Sequence, residues 1–514
     1  MKLLFKIISF CLFSFFISQL FSCKKDKLIT DSGAKIEFSQ DSVLFDTVFT
    51  TIGSATQNIR VRNKNNQRIK ISSIQLQGGN ASQFIVNVDG AKGTSFTDIE
   101  IAANDSMYIF IQVNVNPTNI NSPLIISDAL IFLVNGNQQK LNLEAWGQDA
   151  YYHRPDSVIK FKDGSYFPYS LANAVPNSYN LIGDEFVWKN DKPHVVYGYL
   201  VVNGPDSITN EPAQNLKILE GTKIFMNYKS GIWVYAGARI QVLGKKGQEV
   251  VFQGARREKD FADEPGQWDR IWINEGSNDN IINYAIIKNG FIGVQCEFIG
   301  EDPKLSSKGV LRLTNTKIQN MSLWGLYCLY YGVFGFNNVI SNCQEHSVNI
   351  LLGGEYIFSQ CTFANYWSKD KSRDKPTLKI NNYSETQVLP LSLRISNCII
   401  DGKLENEVSL DIKTPSTIPN AVVSYTFSNN WLKSTMNTSD VTIFINNRKG
   451  DKTAELEYED KSMYNFEPKA SEKRITGFTG TLAKQDASII LPAEDINGKP
   501  RNVDSVTAGA YEAQ

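Results

Sequence analysis

A short phrase recurs along the second half of the chain. Asn315–Asn320 reads NTKIQN, Asn337–Asn342 reads NNVISN, and Gln360–Asn365 reads QCTFAN. The last apolar residue of each copy belongs to one column with spacings of 31, 22, 23 and 37 residues, formed by Ile287, Ile318, Ile340, Phe363 and Ile400. The basic period is about 22 residues, with insertions in two copies. No other feature constrains the fold of this chain as strongly.

A unit of this length, with three short strand-like runs, cannot bury its own apolar side, so neighbouring units must stack. If each unit winds once around an axis, equivalent residues lie about 4.8 Å apart in ladders. The cysteines obey the same register, because GVQC at 293–296 aligns with GLYC at 325–328. We therefore predict a parallel β-helix over residues 195–445. A leucine-rich repeat has a similar period, but its leucine frame and helical periodicity are absent here.

Corners of the predicted coils are marked by residues that tolerate left-handed backbone angles. Two residues after each aligned apolar position stands an asparagine or a glycine, namely Asn289, Asn320, Asn342, Asn365 and Gly402. Asn and Gly adopt positive φ more readily than other residues, so one left-handed corner per repeat is predicted.

The region before the repeats reads differently. Residues 35–149 contain short alternating strands separated by turn-rich pieces, which predicts an all-β sandwich. The segment resembles the immunoglobulin-like domains that bacterial surface proteins often carry next to their anchor. Residues 150–194 are rich in Pro, Gly, Ser and Asn and are interpreted as an irregular linker or lead-in. Residues 446–514 are predicted to form a C-terminal cap over the last coil. The chain is thus expected to be all-β, with a sandwich followed by a β-helix.

The first 22 residues place Lys2 and Lys6 before a run rich in Phe and Leu, as in an export signal. The run ends in LFSC at Leu20–Cys23, which resembles the lipobox of bacterial lipoproteins. That resemblance implies a lipidated Cys23 as the mature N-terminus, with residues 23–34 as a tether. An uncleaved anchor helix is the alternative. The expected location is a bacterial cell envelope, at the periplasmic or surface side of the outer membrane.

Charge and cysteine content limit the partners. With 52 basic and 53 acidic residues the formal charge is −1, so no basic field is available for nucleic acid. No CxxC occurs and the three histidines are far apart in sequence, so no metal site or cofactor is predicted. Five cysteines remain after residue 23. We expect buried thiols in the ladders, with a disulfide as the alternative, and they are Cys296, Cys328, Cys343, Cys361 and Cys398.

Three segments together resemble a known group of proteins. They are GQWDRIWINEGSNDNIINYAIIKNGFIGV at 266–294, CTFANYW at 361–367 and DINGKPR...AGAYE at 495–512. These segments are similar to right-handed parallel β-helix lipoproteins of Bacteroidetes-type bacteria. The resemblance extends from Trp188 to the C-terminus and implies the pectate-lyase-like superfold. It implies no activity, because this fold carries many functions.

Two sets of residues are candidates for function. The charged loop 255–267 offers Arg256, Arg257, Asp260, Asp263 and Glu264, which would suit a lyase or hydrolase acting on acidic polysaccharide. A lyase needs an arginine or a cation such as calcium to neutralise the uronate, and a base to take the proton. A solvated, self-paired loop is the alternative. Carboxylates on neighbouring coils, which a calcium-dependent lyase needs, do not line up in the repeats. The second set consists of the aromatic residues Trp268, Trp272 and Trp367, whose rings would stack on sugar.

Three hypotheses follow from these patterns. The first is an envelope lipoprotein that binds glycan or another surface ligand without catalysis. The second is a polysaccharide lyase or glycoside hydrolase. The third is a structural envelope protein that contacts other proteins. The sequence favours the first, because it accounts for the predicted anchor, the sandwich next to it and the missing carboxylate cluster.

Overall fold

The structure is a computed structural model. It describes residues 27–513 apart from 51–52, 117–123, 161–163, 173–179, 183–184, 204–212, 259, 278, 299–308, 370–371, 414–421, 452 and 480–491. The predicted signal peptide 1–22 and Cys23 lie outside the described residues. In the described ranges no helix is long and apolar enough to span a membrane. The chain divides into two compact units, Met1–Asp149 and Ala150–Gln514.

The first unit is a sandwich of two five-stranded sheets. One sheet contains, in spatial order, Glu37–Phe38, Gln57–Arg62, Ser106–Val113, Phe84–Val88 and Ala91–Gly93. The other contains Ser42–Phe49, Asn137–Gln148, Leu124–Val134, Ile69–Leu76 and Ser95–Ile101. A 3-10 turn occupies Gly79–Ala81. Alternating strands from both sheets bury one face each, so that Ile59, Ile74 and Ile111 share one core.

The tether predicted for residues 23–34 is wrong for its described part. Leu28 forms a β-bridge with Arg68, and the Ile29 amide donates to the Arg68 carbonyl at 2.9 Å. Ala34 is buried in the sandwich core and Ile29 packs against that core. Burial of the apolar side chains of this segment stabilises its docked position, whereas a free linker would leave them exposed to water.

The second unit is built almost entirely from parallel strands. An eleven-stranded sheet contains Tyr151–His153, His194–Val196, Lys223–Met226, Val250–Gly254, Ala285–Lys288, Lys317–Met321, Val339–Cys343, Thr362–Asn365, Ile399–Gly402, Trp431–Lys433 and Arg448–Gly450. A nineteen-stranded sheet contains Ser157–Lys160, Tyr166–Leu171, Asn180–Ile182, Glu185–Trp188, Tyr199–Val202, Asn215–Leu219, Gly231–Val234, Arg239–Leu243, Ile271–Ile273, Asn280–Asn283, Ile292–Glu297, Val310–Thr314, Trp324–Phe336, Val348–Ser359, Leu378–Asn381, Leu391–Ser396, Val408–Asp411, Val423–Ser428 and Phe444–Ile445. Successive coils stack in the manner of a parallel β-helix.

The predicted apolar column is confirmed. Ile287 pairs with Ile318, Ile318 with Ile340, Ile340 with Phe363, and Phe363 with Ile400. All five side chains are fully buried in one core that runs through the coils. The cysteine register is confirmed as well, because Cys296 pairs with Cys328. Like residues stack because each coil presents its apolar side to the same interior.

The corner prediction is confirmed at three positions and wrong at two. Asn289, Asn320 and Asn342 have φ of 66°, 59° and 48°. Asn365 and Gly402 do not have positive φ. Asn365 instead donates its amide to the carbonyls of Cys343 and Glu345 at 2.8 and 2.9 Å, so this corner is held by a side chain rather than by a left-handed residue.

The irregular lead-in predicted for 150–194 is wrong, because this segment already belongs to the coils. Tyr151–His153 pairs in parallel with His194–Val196, and Glu185–Trp188 pairs in parallel with Asn215–Leu219. Pro155 and Pro193 lie in the described connections between these short strands. These strands are too short to stand alone and are held by pairing with the next coil.

The cap predicted for 446–514 is also corrected. Arg448–Gly450 is still a coil strand. The residues that follow, including the hairpin strands Tyr458–Asp460 and Asn465–Pro468, pack on the outward side of the eleven-stranded sheet. They form an apolar cluster with outward residues of that sheet, whose members include Val339, Ile399, Trp431, Phe466, Phe478 and Tyr511. Outward residues of this sheet that are apolar, such as Val339, Ala364 and Ile399, are buried by this lateral cover.

Candidate functional site

One outward column of side chains runs along the second unit. It is formed by Trp233, Trp272, Gln295, Tyr327, Asn349, Lys379 and Ser409, each paired in register with the next. Inward neighbours such as Ile271 and Ile273 are fully buried, whereas the outward Trp272 is half-buried. We call the surface that carries this column the front face. Six steps of about 4.8 Å make the column about 29 Å long.

A groove of about 650 Å³ opens beside the first coils of the front face. Its aromatic lining consists of Tyr166, Phe167, Tyr199, Tyr228, Trp268 and Phe291. Tyr228 is 70% exposed and Tyr166 is 65% exposed, so their rings are available to a ligand. Lys229, Asp269 and Arg270 supply charge to the same groove. An open cleft with many aromatic rings and few charged groups is typical of a small-molecule or sugar site.

Hydrogen bonds fix the polar wall of this groove. The Tyr199 hydroxyl donates to Asp269, and Arg270 Nε donates to Asp269 Oδ1 at 2.8 Å. Arg270 also donates to Gln295, whose amide donates to Glu297 Oε2 at 2.5 Å. Burial and the adjacent Asp269 raise the pKa of Tyr199, so its hydroxyl stays protonated. Burial raises the pKa of Glu297. The wall is therefore preorganised before any ligand binds.

Aromatic rings continue from the groove onto the front face. Phe167 lies 4.7 Å from Tyr199 and 5.5 Å from Trp233, measured between ring centroids. Trp233 stacks on Trp272 at 4.8 Å with an interplanar angle of 11°. In-register stacking on neighbouring coils gives this region a rigid aromatic surface.

A second cavity of about 340 Å³ lies farther along the front face. Trp324, Asn349 and Lys379 line it, together with Glu345, His346 and Lys375. The Trp324 indole N–H donates to Glu345 Oε2 at 2.9 Å, and the Trp324 ring lies 4.2 Å from that of Tyr327. Gln295 and Tyr327 occupy the column positions between Trp272, next to the first groove, and Asn349 in this cavity.

The charged loop 255–267 contributes Gly266 to the first groove, but none of its described charged side chains lines either cavity. Arg256 pairs with Glu258 at 3.5 Å and lies over Phe261, while Arg257 lies over Phe225. Asp263 and Glu264 pair with Lys288 and Lys369 at 3.9 and 3.3 Å. Asp260 is exposed.

Two corner asparagines hold the backbone of this loop through side-chain hydrogen bonds. The Asn289 side chain donates to the Ala262 carbonyl at 2.6 Å, and Asn320 donates to the Asp263 carbonyl at 2.7 Å. The Arg256–Glu258 pair lies within the loop, as the self-paired alternative expects, whereas the pairs with Lys288 and Lys369 connect the loop to other parts of the unit. A catalytic role for its residues stays a prediction.

The three predicted tryptophans have different environments. Trp272 faces outward, as the alternation of IWINEG predicts. Trp268 and Trp367 are corrected, because their exposed fractions are only 1% and 6%. Trp268 donates its indole N–H to the Lys288 carbonyl at 2.8 Å and forms the floor of the groove.

Sequence reasoning missed most of the groove. Two of its aromatic residues, Tyr166 and Phe167, come from the segment that was interpreted as a linker. Its charged residues Asp269 and Arg270 were not predicted, although they lie between the predicted Trp268 and Trp272. The five predicted thiols are all free and buried. Among the described residues, no three His, Cys, Asp or Glu side chains are placed to share a metal ion.

Comparison with known proteins gives no family. No family model matches the chain, and no curated protein matches it. Among solved structures it is similar over 24% of its length to a PapD-like domain of human CEP192, at 12% identity, 89% coverage of that chain and a TM-score of 0.16. A Caenorhabditis elegans MSP family member, WR4, matches over 22% of this chain and 98% of its own, at 9% identity and TM-score 0.16. Vibrio cholerae VesB protease matches over 23% and 33%, at 12% identity and TM-score 0.16. None of these similarities bears on function.

Proposed function

We propose that this protein is a non-catalytic glycan-binding lipoprotein of a bacterial envelope, anchored through lipid on Cys23. The groove that contains Tyr228, Phe291 and Arg270 receives the sugar chain, and the front face extends the contact. The observation that carries the proposal is the exposed aromatic lining beside the stacked Trp233 and Trp272. Sugar rings present C–H faces that pack on aromatic rings, while their hydroxyls bond to charged side chains.

The dimensions of the surface support a polymer as ligand. An extended chain lying along the column would cross successive coils and meet a new outward side chain about every 4.8 Å. Because the coil backbone is fixed by pairing on both sides, such contacts need little reordering on binding. The resemblance to β-helix lipoproteins of Bacteroidetes-type bacteria agrees with this proposal.

The test is a glycan array on the soluble chain that lacks residues 1–23, followed by calorimetry with the glycans that bind. Tyr228→Ala should weaken binding about tenfold, since truncating an aromatic contact residue commonly costs more than about 1 kcal/mol. Tyr108→Ala is the matched control, because Tyr108 is a 51% exposed tyrosine on the sandwich. Equal affinity of the two variants would refute the groove as the site. Release of unsaturated uronate products, followed by ultraviolet absorbance, would refute a non-catalytic role.

A further inference from the structure

The second cavity differs from the first groove in its charge. Lys375 and Lys379 stand at its rim with one carboxylate, Glu345, and that carboxylate already accepts the Trp324 indole N–H. Lys375 has Asp374 at 3.4 Å, where both side chains are largely exposed. Within the described part of the chain, Lys379 forms no ion pair. An uncommitted ammonium group therefore faces the cavity.

A buried acceptor lies beside this ammonium group. Asn349 is 3% exposed, and its Oδ1 has no hydrogen-bond donor among the described residues. Asn349 and Lys379 are neighbours in the outward column, on adjacent coils. A buried amide oxygen without a partner costs free energy unless a ligand donates to it. A hydroxyl group of a bound molecule would satisfy it.

The remaining walls favour a ring with an acidic substituent. Trp324 is half-buried and held by two contacts, its hydrogen bond to Glu345 and its packing on Tyr327 at 4.2 Å, so its ring is a fixed platform. His346 donates its Nδ1–H to the Pro376 carbonyl oxygen at 2.6 Å. Burial lowers the pKa of His346 to about 4, so it is uncharged at neutral pH. Since a ring N–H is required against a carbonyl oxygen, Nδ1 carries the proton.

We propose that this second cavity is a subsite for an anionic sugar unit, one that bears a carboxylate or sulfate group. The inference rests on the proposed function, because it assigns the class of glycan that the front face takes. The acidic group pairs with Lys379 and Lys375, the sugar ring packs on Trp324, and a sugar hydroxyl donates to Asn349 Oδ1. A strand that fills both cavities gains affinity because the second contact becomes intramolecular.

The experiment compares dextran, carboxymethyl-dextran and dextran sulfate, which share one backbone and differ in charge. Binding to the soluble chain lacking residues 1–23 is measured at one ionic strength by biolayer interferometry. We expect a charged form to bind more tightly than dextran. Lys379→Met should weaken binding of that charged form about tenfold, as expected for a charge-assisted contact. Which charged form is preferred distinguishes carboxylate from sulfate.

Lys403→Met is the control, because it removes the same charge from an exposed lysine. Lys403 lines neither cavity. Equal losses in the two lysine variants would overturn the inference, since they would reflect the general field of the protein. Failure of both charged forms to bind better than dextran would also overturn it. If the charged forms fail but Tyr228→Ala abolishes binding to glycans on the array, the proposed function is still supported. The two failures are therefore distinguishable.

Discussion

Acid should destabilise this protein through its buried histidines, and His346 allows the effect to be calculated. Burial is the main reason that its pKa falls from about 6.5 to about 4. The nearby Lys379 and Lys375 lower this pKa further, whereas the Pro376 carbonyl and Glu345 raise it. The folded-state pKa lies below the unfolded one, so the unfolded chain binds the proton first as pH falls. Stability is therefore lost from about pH 6.5 downward to about pH 4.

The expected loss follows from these two values. Between pH 8 and pH 5 a single histidine with pKa of about 4 folded and about 6.5 unfolded removes about 2 kcal/mol from the free energy of unfolding. His346→Asn keeps an N–H donor for the Pro376 carbonyl but cannot titrate. The difference in unfolding free energy between wild type and this variant should accordingly change by about 2 kcal/mol across that pH range.

The assay is urea unfolding at pH 8 and pH 5, followed by tryptophan fluorescence. Seven of the eight tryptophans belong to the second unit and only Trp146 to the first, so the signal reports mainly on the coils. Tyr108→Ala, on the sandwich, serves as a variant whose effect should not depend on pH in this range. If wild type and His346→Asn lose stability in parallel between the two pH values, the argument from burial is refuted.

Two further substitutions test the packing of the coils. Ile340→Ala should lower the free energy of unfolding by about 3 kcal/mol, because it leaves a cavity in the continuous core. The control Val441→Ala, at a 76% exposed site, should change it by less than about 0.5 kcal/mol. Similar unfolding midpoints in urea for the two variants would contradict the stacked core. Arg373→Met should cost about 3–5 kcal/mol, because Glu407 would be left buried without its two-pronged partner at 2.5 and 2.7 Å. Adding Glu407→Gln should recover part of this loss in thermal unfolding.

The inward columns were predictable because burial imposes one rule on every coil. A residue such as Ile318 must face the interior at the same point of the winding as Ile340, so alignment of letters becomes alignment in space. A second column of left-handed corners was not predicted, although it coincides with the first residue of the repeated phrase. Asn315, Asn337 and Asn397 also have positive φ, between 48° and 51°. The Asn337 amide donates to the Asn315 side chain at 3.0 Å.

The site was much harder to predict because its members are joined only by the winding of the chain. Tyr199 and Asp269 form a hydrogen bond although 70 residues separate them. Tyr166 and Phe167 reach the same groove from a segment whose Pro and Gly content suggested a linker. Outward residues obey no common burial rule, so no repeated letter marks them. The lateral cover after Gly450 was unexpected for the same reason, because nothing in its own sequence indicates which face it buries.

Outward and inward positions of the coils differ in how freely they can be substituted. Substituting Trp272 or Lys379 alters only outward contacts, whereas substituting the paired Ile271 or Ile380 alters the stack on both sides. Ligand preference along the front face is therefore free to vary coil by coil while the interior stays fixed. An aromatic groove at one end and a lysine-rimmed cavity farther along are such local variations on one repeated scaffold. Phe291 in the first groove and Trp324 in the second cavity come from adjacent coils, so a single extended chain can contact both, which is the arrangement that a polymeric ligand requires.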